Sequence, residues 1–409
     1  MLFRGFRLPC AETMRYVEVL MENSPSNGCI AFHSWIDLLK SQVESHDSDT
    51  AFIFLDEEGN EGDLLTYGEL DQRAQAIAHN LKGTISKGDR VLLLHPPGLD
   101  YIVSFYGCLY AGAVAVPLFP PHRNRIEHVD IVARDCSASM VLSTEHVVSE
   151  MEKLDDKWYV KSLPRMASDD ITETVLPIEG MESSESEIAY LQYTSGSTST
   201  PKGVIVEHEM MLRQCDELGY GWGVDTETVL VSWLPHFHDF GQVSGVLMPI
   251  YSGTRAVLMA PATFVKSPIR WLSAVSTYRG THSGAPNFAF DLCVSKTTPS
   301  QRAELDLSSW RLVSNGAEPV RKATLERFQE AFEPHGLPAT AVTPGYGLAE
   351  ATLKVTSGTS DVAFSVASFD ESALGRRKVL PAEGEGTIEL VGCGHTVMDT
   401  EIAIVEPES

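Results

Sequence analysis

The reading of this chain turns on residues 190–208, YLQYTSGSTSTPKGVIVEH, where an apolar, strand-like run leads into small and hydroxyl residues from Thr194 to Thr200 and then into Pro201, Lys202 and Gly203. In such a loop backbone N–H groups can converge on anionic oxygens without obstruction by Cβ atoms, the hydroxyls add donors, and Lys202 supplies a positive charge, so the segment suits a polyphosphate. The same composition also describes a solvated Ser/Thr loop. It is not a Walker phosphate loop: counted from Gly196, Pro201 stands where glycine is required, and Lys202 is followed by Gly203 rather than by Ser or Thr.

Outward from this loop the chain alternates helical and strand patterns. YGELDQRAQAIAHNL at 67–81 has apolar residues at helical spacing, and DRVLLLHPP at 89–97 is a short apolar run stopped by prolines. IEHVDIVARDCSASMVLST at 126–144 repeats the order, the charged stretch 149–170 reads as a surface excursion, and the pattern resumes at Ile188. Residues 101–119 carry no charge over nearly the length of a membrane span, but Ser104, Gly107, Gly112 and Pro117 interrupt them. A buried helix followed by a core strand, AVAVPL at 113–118, is expected there, and no membrane span. Residues 1–10, with Arg4 and Arg7, lack the uninterrupted apolar run of an export signal. After Tyr346 the texture turns to β-like alternation, as in TIELVGCG at 387–394 and EIAIVEP at 401–407. This grammar implies an α/β fold, a layered sandwich of two mostly parallel sheets with helices plus a smaller β-rich subdomain. The expected division is a first α/β subdomain at 1–186, a second at 187–353, and the remainder at 354–409.

With 409 residues, 43% of them apolar, the chain can bury a sizeable core. A formal net charge of −25 argues against nucleic-acid partners, which need clustered Lys and Arg, so an anionic ligand must be held by a local site. The seven cysteines are odd in number and never spaced as C-x-x-C, which argues against a disulfide framework or a zinc site and for a reducing cytoplasm.

YTSGSTSTPKG closely resembles YTSGSTGTPKG, the signature of the adenylate-forming superfamily of acyl-CoA synthetases, peptide-synthetase adenylation domains, luciferases and fatty acyl-AMP ligases. Ser199 stands where that signature has glycine. Two further landmarks follow in order, LVSNGAEPV at 312–320 and TPGYGLAEAT at 343–352. The resemblance implies ATP and Mg²⁺ as cofactors: Thr194, Ser195, Gly196, Ser197, Thr198 and Lys202 on the phosphates, Asn315, Gly316, Ala317, Glu318 and Gly347 around an adenine on which Tyr346 stacks, and Glu350 on the metal. An aromatic face beside a glycine-containing backbone makes a slot for a purine, and a carboxylate is a hard ligand for a hard cation. Taken alone, a glutamate after a Gly-Leu-Ala turn is more often a surface carboxylate or a helix-start charge than a metal ligand.

VSWLPHFHDFGQVSGVLMPIYSG at 231–253 sets His236, His238 and Asp239 in an apolar, glycine-rich context, which fits either part of a metal site or hydrogen-bonded histidines beside a core helix. The resemblance assigns to His238 the orientation of a substrate carboxylate, with Asp239, Gly284, Asn287 and Phe288 on the acyl side. GAPNFAFDLCV at 284–294 fits an acyl tunnel walled by Phe288 and Phe290, or ordinary core aromatics. LPHFHDFG, GAPNFAFDLCV and the opening half of the chain are similar to the fatty acyl-AMP ligase branch, which activates a fatty acid with ATP, releases pyrophosphate, and passes the acyl group to an acyl carrier protein or a polyketide synthase partner. Residues 354–386, with Arg376, Arg377 and Lys378, occupy the place of that branch's inserted segment or form a flexible charged loop. The family's smaller C-terminal domain, with its catalytic lysine, is not found before Ser409, so weak catalysis by this chain itself is expected. A CoA ligase and a noncatalytic nucleotide- or lipid-binding module are the alternative readings.

Overall fold

The computed structural model describes residues 32, 34–121, 125–171, 187–194, 201–398 and 400–403. Contacts divide them into two compact units, a larger one of Phe32–Cys215 and Val229–Trp271 and a smaller one that takes Asp216–Thr228 and Leu272–Ser409. Each unit draws on stretches that are discontinuous in sequence, because a parallel strand is reached only by a crossover that leaves the sheet and returns. The blocks 1–186, 187–353 and 354–409 divide the chain along its length, whereas the two units divide it in space.

In the larger unit one sheet has the order Arg165–Ala167, Met140–Ser143, Arg90–Leu93, Val114–Pro117, Ile188–Thr194, Lys202–Glu207. Its pairings are parallel except for the last, an antiparallel hairpin. A second run, Val229–Ser232, Arg255–Met259, Thr50–Leu55 and Glu61–Thr66, is likewise parallel up to its final antiparallel pair. Val114–Pro117 and Met140–Ser143 are buried at every position, which is why they read as continuous apolar runs rather than alternating ones. Helix Tyr67–Lys82 starts at a capping box in which Thr66 and Glu69 satisfy each other's backbone N–H groups. Its Leu70, Ala74, Ile77 and Leu81 then enter the core at helical spacing.

The uncharged stretch resolves into helix Leu99–Ala111, buried everywhere but Asp100 and closed by a left-handed Gly112, followed by strand Val114–Pro117. Among the described residues no helix is long and apolar enough to cross a membrane. The charged stretch 149–170 is not a surface excursion. Helices Glu145–Glu152 and Tyr159–Ser162 and edge strand Arg165–Ala167 place Met151, Val160 and Leu163 in one cluster with Val129, Val132 and Val141, while the charged residues between them face outward. Leu154, Trp158 and Tyr159 pack against the same cluster.

The smaller unit carries the run Lys354–Ser357, Val342–Gly347, Leu312–Gly316, His282–Pro286, parallel except for the antiparallel Lys354–Ser357. Helices Asn287–Lys296 and Lys322–Phe332 meet through Phe290 and Phe328, with ring centroids 4.9 Å apart. The β-like texture near the C-terminus becomes the hairpin Val366–Asp370 with Thr387–Val391. Residues 401–403 form no strand, and 404–407 lie outside the described residues.

Candidate functional site

In the larger unit the hairpin Ile188–Thr194/Lys202–Glu207 carries the proposed phosphate loop at its tip, with Thr194 and Lys202 as the last paired residues. Ser195, Gly196, Ser197 and Thr198 lie outside the described residues. Thr194 is half-buried and Lys202 is exposed. One arm is tied to the end of helix Ile126–Asp135 by Tyr193, whose hydroxyl donates to Asp135 at 2.5 Å.

Residues 233–242 separate the two histidines. His238 sits at the N-cap of the short helix Asp239–Gln242, its side chain 57% exposed, with Nδ1 2.5 Å from an Asp239 carboxylate oxygen. That hydrogen bond raises the His238 pKa above its ordinary value, against the opposing effect of partial burial. Asp239 is buried and also accepts from the Phe240 N–H at 2.7 Å, so the carboxylate is fixed and the imidazole is held outward by it. An imidazolium so placed can orient a carboxylate or a phosphate oxygen. His236 turns the other way: it stacks on Tyr101 with centroids 3.8 Å apart, and burial lowers its pKa to about 3. Among the described residues no cluster of three or more His, Cys, Asp or Glu side chains suits a metal ion.

In the smaller unit the C-terminal ends of three parallel strands lie side by side, with Ala285 opposite Asn315 and Asn315 opposite Pro344. Ligands of open α/β sheets bind at such ends. The strand ends deliver Asn287 and Phe288, Asn315 to Glu318, and Tyr346, Gly347 and Glu350 to one edge. Gly284 and Asn287 are buried. Asn287 Oδ1 accepts from the Arg321 N–H at 3.0 Å and from Asn315 Nδ2 at 3.4 Å, which links the acyl-side and adenine-side candidates through one amide pair. Gly316 is buried, Ala317 adopts φ +66°, and Glu318 accepts from the Phe288 N–H at 2.6 Å. Two large aromatics stand out at this edge, Phe288 at 47% and Tyr346 at 55% exposure. Phe290 does not join Phe288 as a wall: in a helix residues two apart diverge, and Phe290 is fully buried against Phe328. Glu350, in the turn Ala349–Ala351, is exposed.

Comparison with known proteins places this arrangement. The model of the AMP-binding enzyme family matches residues 39–409. The chain belongs to the AMP-binding enzyme family. Among its relatives, it is 40% identical over 396 residues to the medium-chain-fatty-acid–[acyl-carrier-protein] ligase JamA of Moorena producens, covering 92% of this chain and 65% of that protein. It is 37% identical over 385 residues to the long-chain-fatty-acid–AMP ligase FadD26 of Mycobacterium marinum, covering 91% and 66%. The crystal structure of a fatty acyl-adenylate ligase from L. pneumophila in complex with acyl adenylate and pyrophosphate superposes with a TM-score of 0.82 at 37% identity, covering 90% of this chain and 64% of that one. The chain thus spans about two thirds of the length of the curated relatives it matches.

This chain of the AMP-binding enzyme family carries in its larger unit a buried polar group that its sequence did not announce. His95 contacts Ser104 and Ser168 through Nε2 at 3.0 Å each, and Tyr101 donates to Gln242 at 2.5 Å. In the chain Tyr101 and Ser104 stand in a mainly apolar helix, indistinguishable there from ordinary core residues.

Proposed function

We propose that this chain binds MgATP and a fatty acid and is the nucleotide- and acid-binding part of a fatty acyl-AMP ligase. The observation that carries the reading is the single edge at which three parallel strands of the smaller unit end, bearing an exposed aromatic, an Asn-Gly strand end and an exposed carboxylate. Similarity to enzymes named for fatty-acid adenylation supports it. Tyr346 offers a face to adenine, beside Asn315, Gly316, Ala317, Glu318 and Gly347. Thr194, Ser195, Gly196, Ser197, Thr198 and Lys202 receive the β- and γ-phosphates. His238, backed by Asp239, orients the acid's carboxylate toward the α-phosphate, and Gly284, Asn287 and Phe288 border the acyl chain. The carboxylate oxygen then attacks phosphorus in line as the bond to the pyrophosphate oxygen breaks, and these residues serve by alignment and by neutralising phosphate charge. Glu350 is an exposed hard oxygen ligand and fits Mg²⁺, which when bound spreads the charge of the phosphate oxygens.

The acceptor in this proposal is a carrier-protein thiol, from a free acyl carrier protein or a polyketide synthase. A reducing cytoplasm is proposed as the compartment; five cysteines among the described residues are free thiols. Boundaries near residues 186 and 353 are proposed as the limits of folding subdomains. Calorimetry with a decanoyl-sulfamoyladenosine, a stable acyl-adenylate mimic, tests the function. It should bind about a hundredfold more tightly than AMP, because the acyl tail adds buried apolar area. Equal affinities for the two would refute an acyl site.

A further inference from the structure

The larger unit holds a cavity of about 30 Å³, open on one side, with room for about two water-sized groups. Leu234, His236 and Gly241, which flank His238 and Asp239 in the chain, contribute to its wall, so the cavity adjoins the segment that presents His238. Ile102, Leu258 and Met259 make much of the remaining wall apolar. Gly245 and Val246 also line it, and both belong to a π-helical turn, Val243–Leu247. Such turns are rare and recur at functional sites.

Ser232, His236 and Tyr101 contribute polar side chains to the wall of this cavity. The His236 ring is hydrogen-bonded to the backbone of His95, while its Nε2 is buried without a protein partner. Burial holds this imidazole neutral across the physiological range, so with Nδ1–H donating to the His95 carbonyl, Nε2 carries a lone pair. Ser232 Oγ accepts from the Leu234 N–H at 3.2 Å, which engages its lone pair and leaves its proton to donate. Tyr101, also at the wall, already spends its proton on Gln242. The wall therefore pairs an acceptor at His236 Nε2 with a donor at Ser232 Oγ in largely apolar surroundings. An alcohol both donates and accepts; a ketone or an ether only accepts, and a methylene does neither.

We propose that this cavity selects an acyl chain bearing a hydroxyl group, which donates to His236 Nε2 and accepts from Ser232 Oγ while the adjoining methylenes lie against the apolar wall. The proposal rests on the acyl-adenylate reading above and names the substrate class within it.

The test is calorimetric titration of this chain with decanoyl-sulfamoyladenosine and with isomers carrying one hydroxyl near the carboxyl end, at mid-chain or at the terminus. One hydroxylated isomer should bind about tenfold more tightly than the unsubstituted analogue, the scale of one satisfied buried hydrogen bond. His236→Leu should abolish that preference and keep or improve the affinity for the unsubstituted chain, and Ser232→Ala should reduce the preference. A second variant guards against misfolding: at Gly245 an added Cβ meets nothing closer than 3.6 Å, so Gly245→Ala is accommodated, narrows the cavity, and should lower affinity for the hydroxylated isomer alone. No preference among the isomers in the native chain, or a preference that survives His236→Leu, overturns the proposal. Failure of every acyl analogue to bind more tightly than AMP is a different result, and it removes the acyl-adenylate reading itself.

Discussion

Replacing Gly347 by Ala should uncouple the turn that links Tyr346 to Glu350. A Cβ built at Gly347 would lie 1.9 Å from the Leu353 carbonyl oxygen and 2.8 Å from its carbon, both backbone atoms with no rotamer to escape through. Restoring ordinary contact requires a displacement of about 1.5 Å, which breaks the hydrogen bond from the Leu348 N–H to Leu353 at 2.8 Å and the ladder pairing of Gly347 with Lys354. Two backbone hydrogen bonds at about 0.5–1.5 kcal/mol each, with the cost of a buried carbonyl left unpaired, give about 2–4 kcal/mol of destabilisation. Scanning calorimetry should show this as a fall in Tm of about 2–5 °C. Because Tyr346 and Glu350 flank the turn, AMP affinity measured by titration calorimetry should fall about tenfold or more even well below the new Tm. Gly83→Ala is the control, since nothing lies within 4 Å of its added Cβ and its φ is −77°. It should leave AMP binding unchanged and raise stability by about 0.4–1 kcal/mol. A Gly347→Ala protein with native Tm and native AMP affinity would refute the reasoning.

Lys202→Ala should weaken ATP and pyrophosphate binding by about tenfold and AMP binding much less, because the ammonium is assigned to the terminal phosphates; equal losses for all three ligands in calorimetry would count against that role. Glu350→Gln should remove the Mg²⁺ dependence of ATP binding while the melting profile stays native, and an undiminished Mg²⁺ effect would dismiss Glu350 as the metal ligand. Asp239→Asn should lower the titration midpoint of His238 as followed by NMR, since the Asp239 hydrogen bond is the main cause of its raised pKa. The sign for stability follows: a folded-state pKa above the unfolded value of about 6.5 stabilises fully below that pH and is lost as pH rises through the folded value. The stability difference between native chain and variant should therefore shrink at alkaline pH; a gap constant from acid to alkali would show that the pair does not set it.

The elements legible from the chain were those whose cause is local. The helix at 67–81 announces itself by the spacing of its apolar residues, and the run at 113–118 by its continuous apolar character, because periodicity acts over one or two turns. The stretch 149–170 misled for the opposite reason: its charges are local, but the fate of Met151, Val160 and Leu163 depends on Val129, Val132 and Val141 arriving from elsewhere in the chain. Phe288 and Phe290 were indistinguishable as residues, and only the helical backbone sent one outward and the other against Phe328.

By itself the sequence determined the α/β alternation, the strand-like run that leads into the loop at 194–203, and the ordered landmarks at 312–320 and 343–352 that mark the family. Tertiary structure alone decided that Asn287 and Asn315, 28 residues apart, share one amide contact, and that each compact unit is assembled from separated stretches. It also decided that His236 and His238, two residues apart, part company, one neutral in the core against Tyr101 and the other held at the surface by Asp239. The physical reason is that hydrogen bonding and desolvation depend on what surrounds a side chain, and most of those surroundings are brought by parallel crossovers from distant parts of the chain.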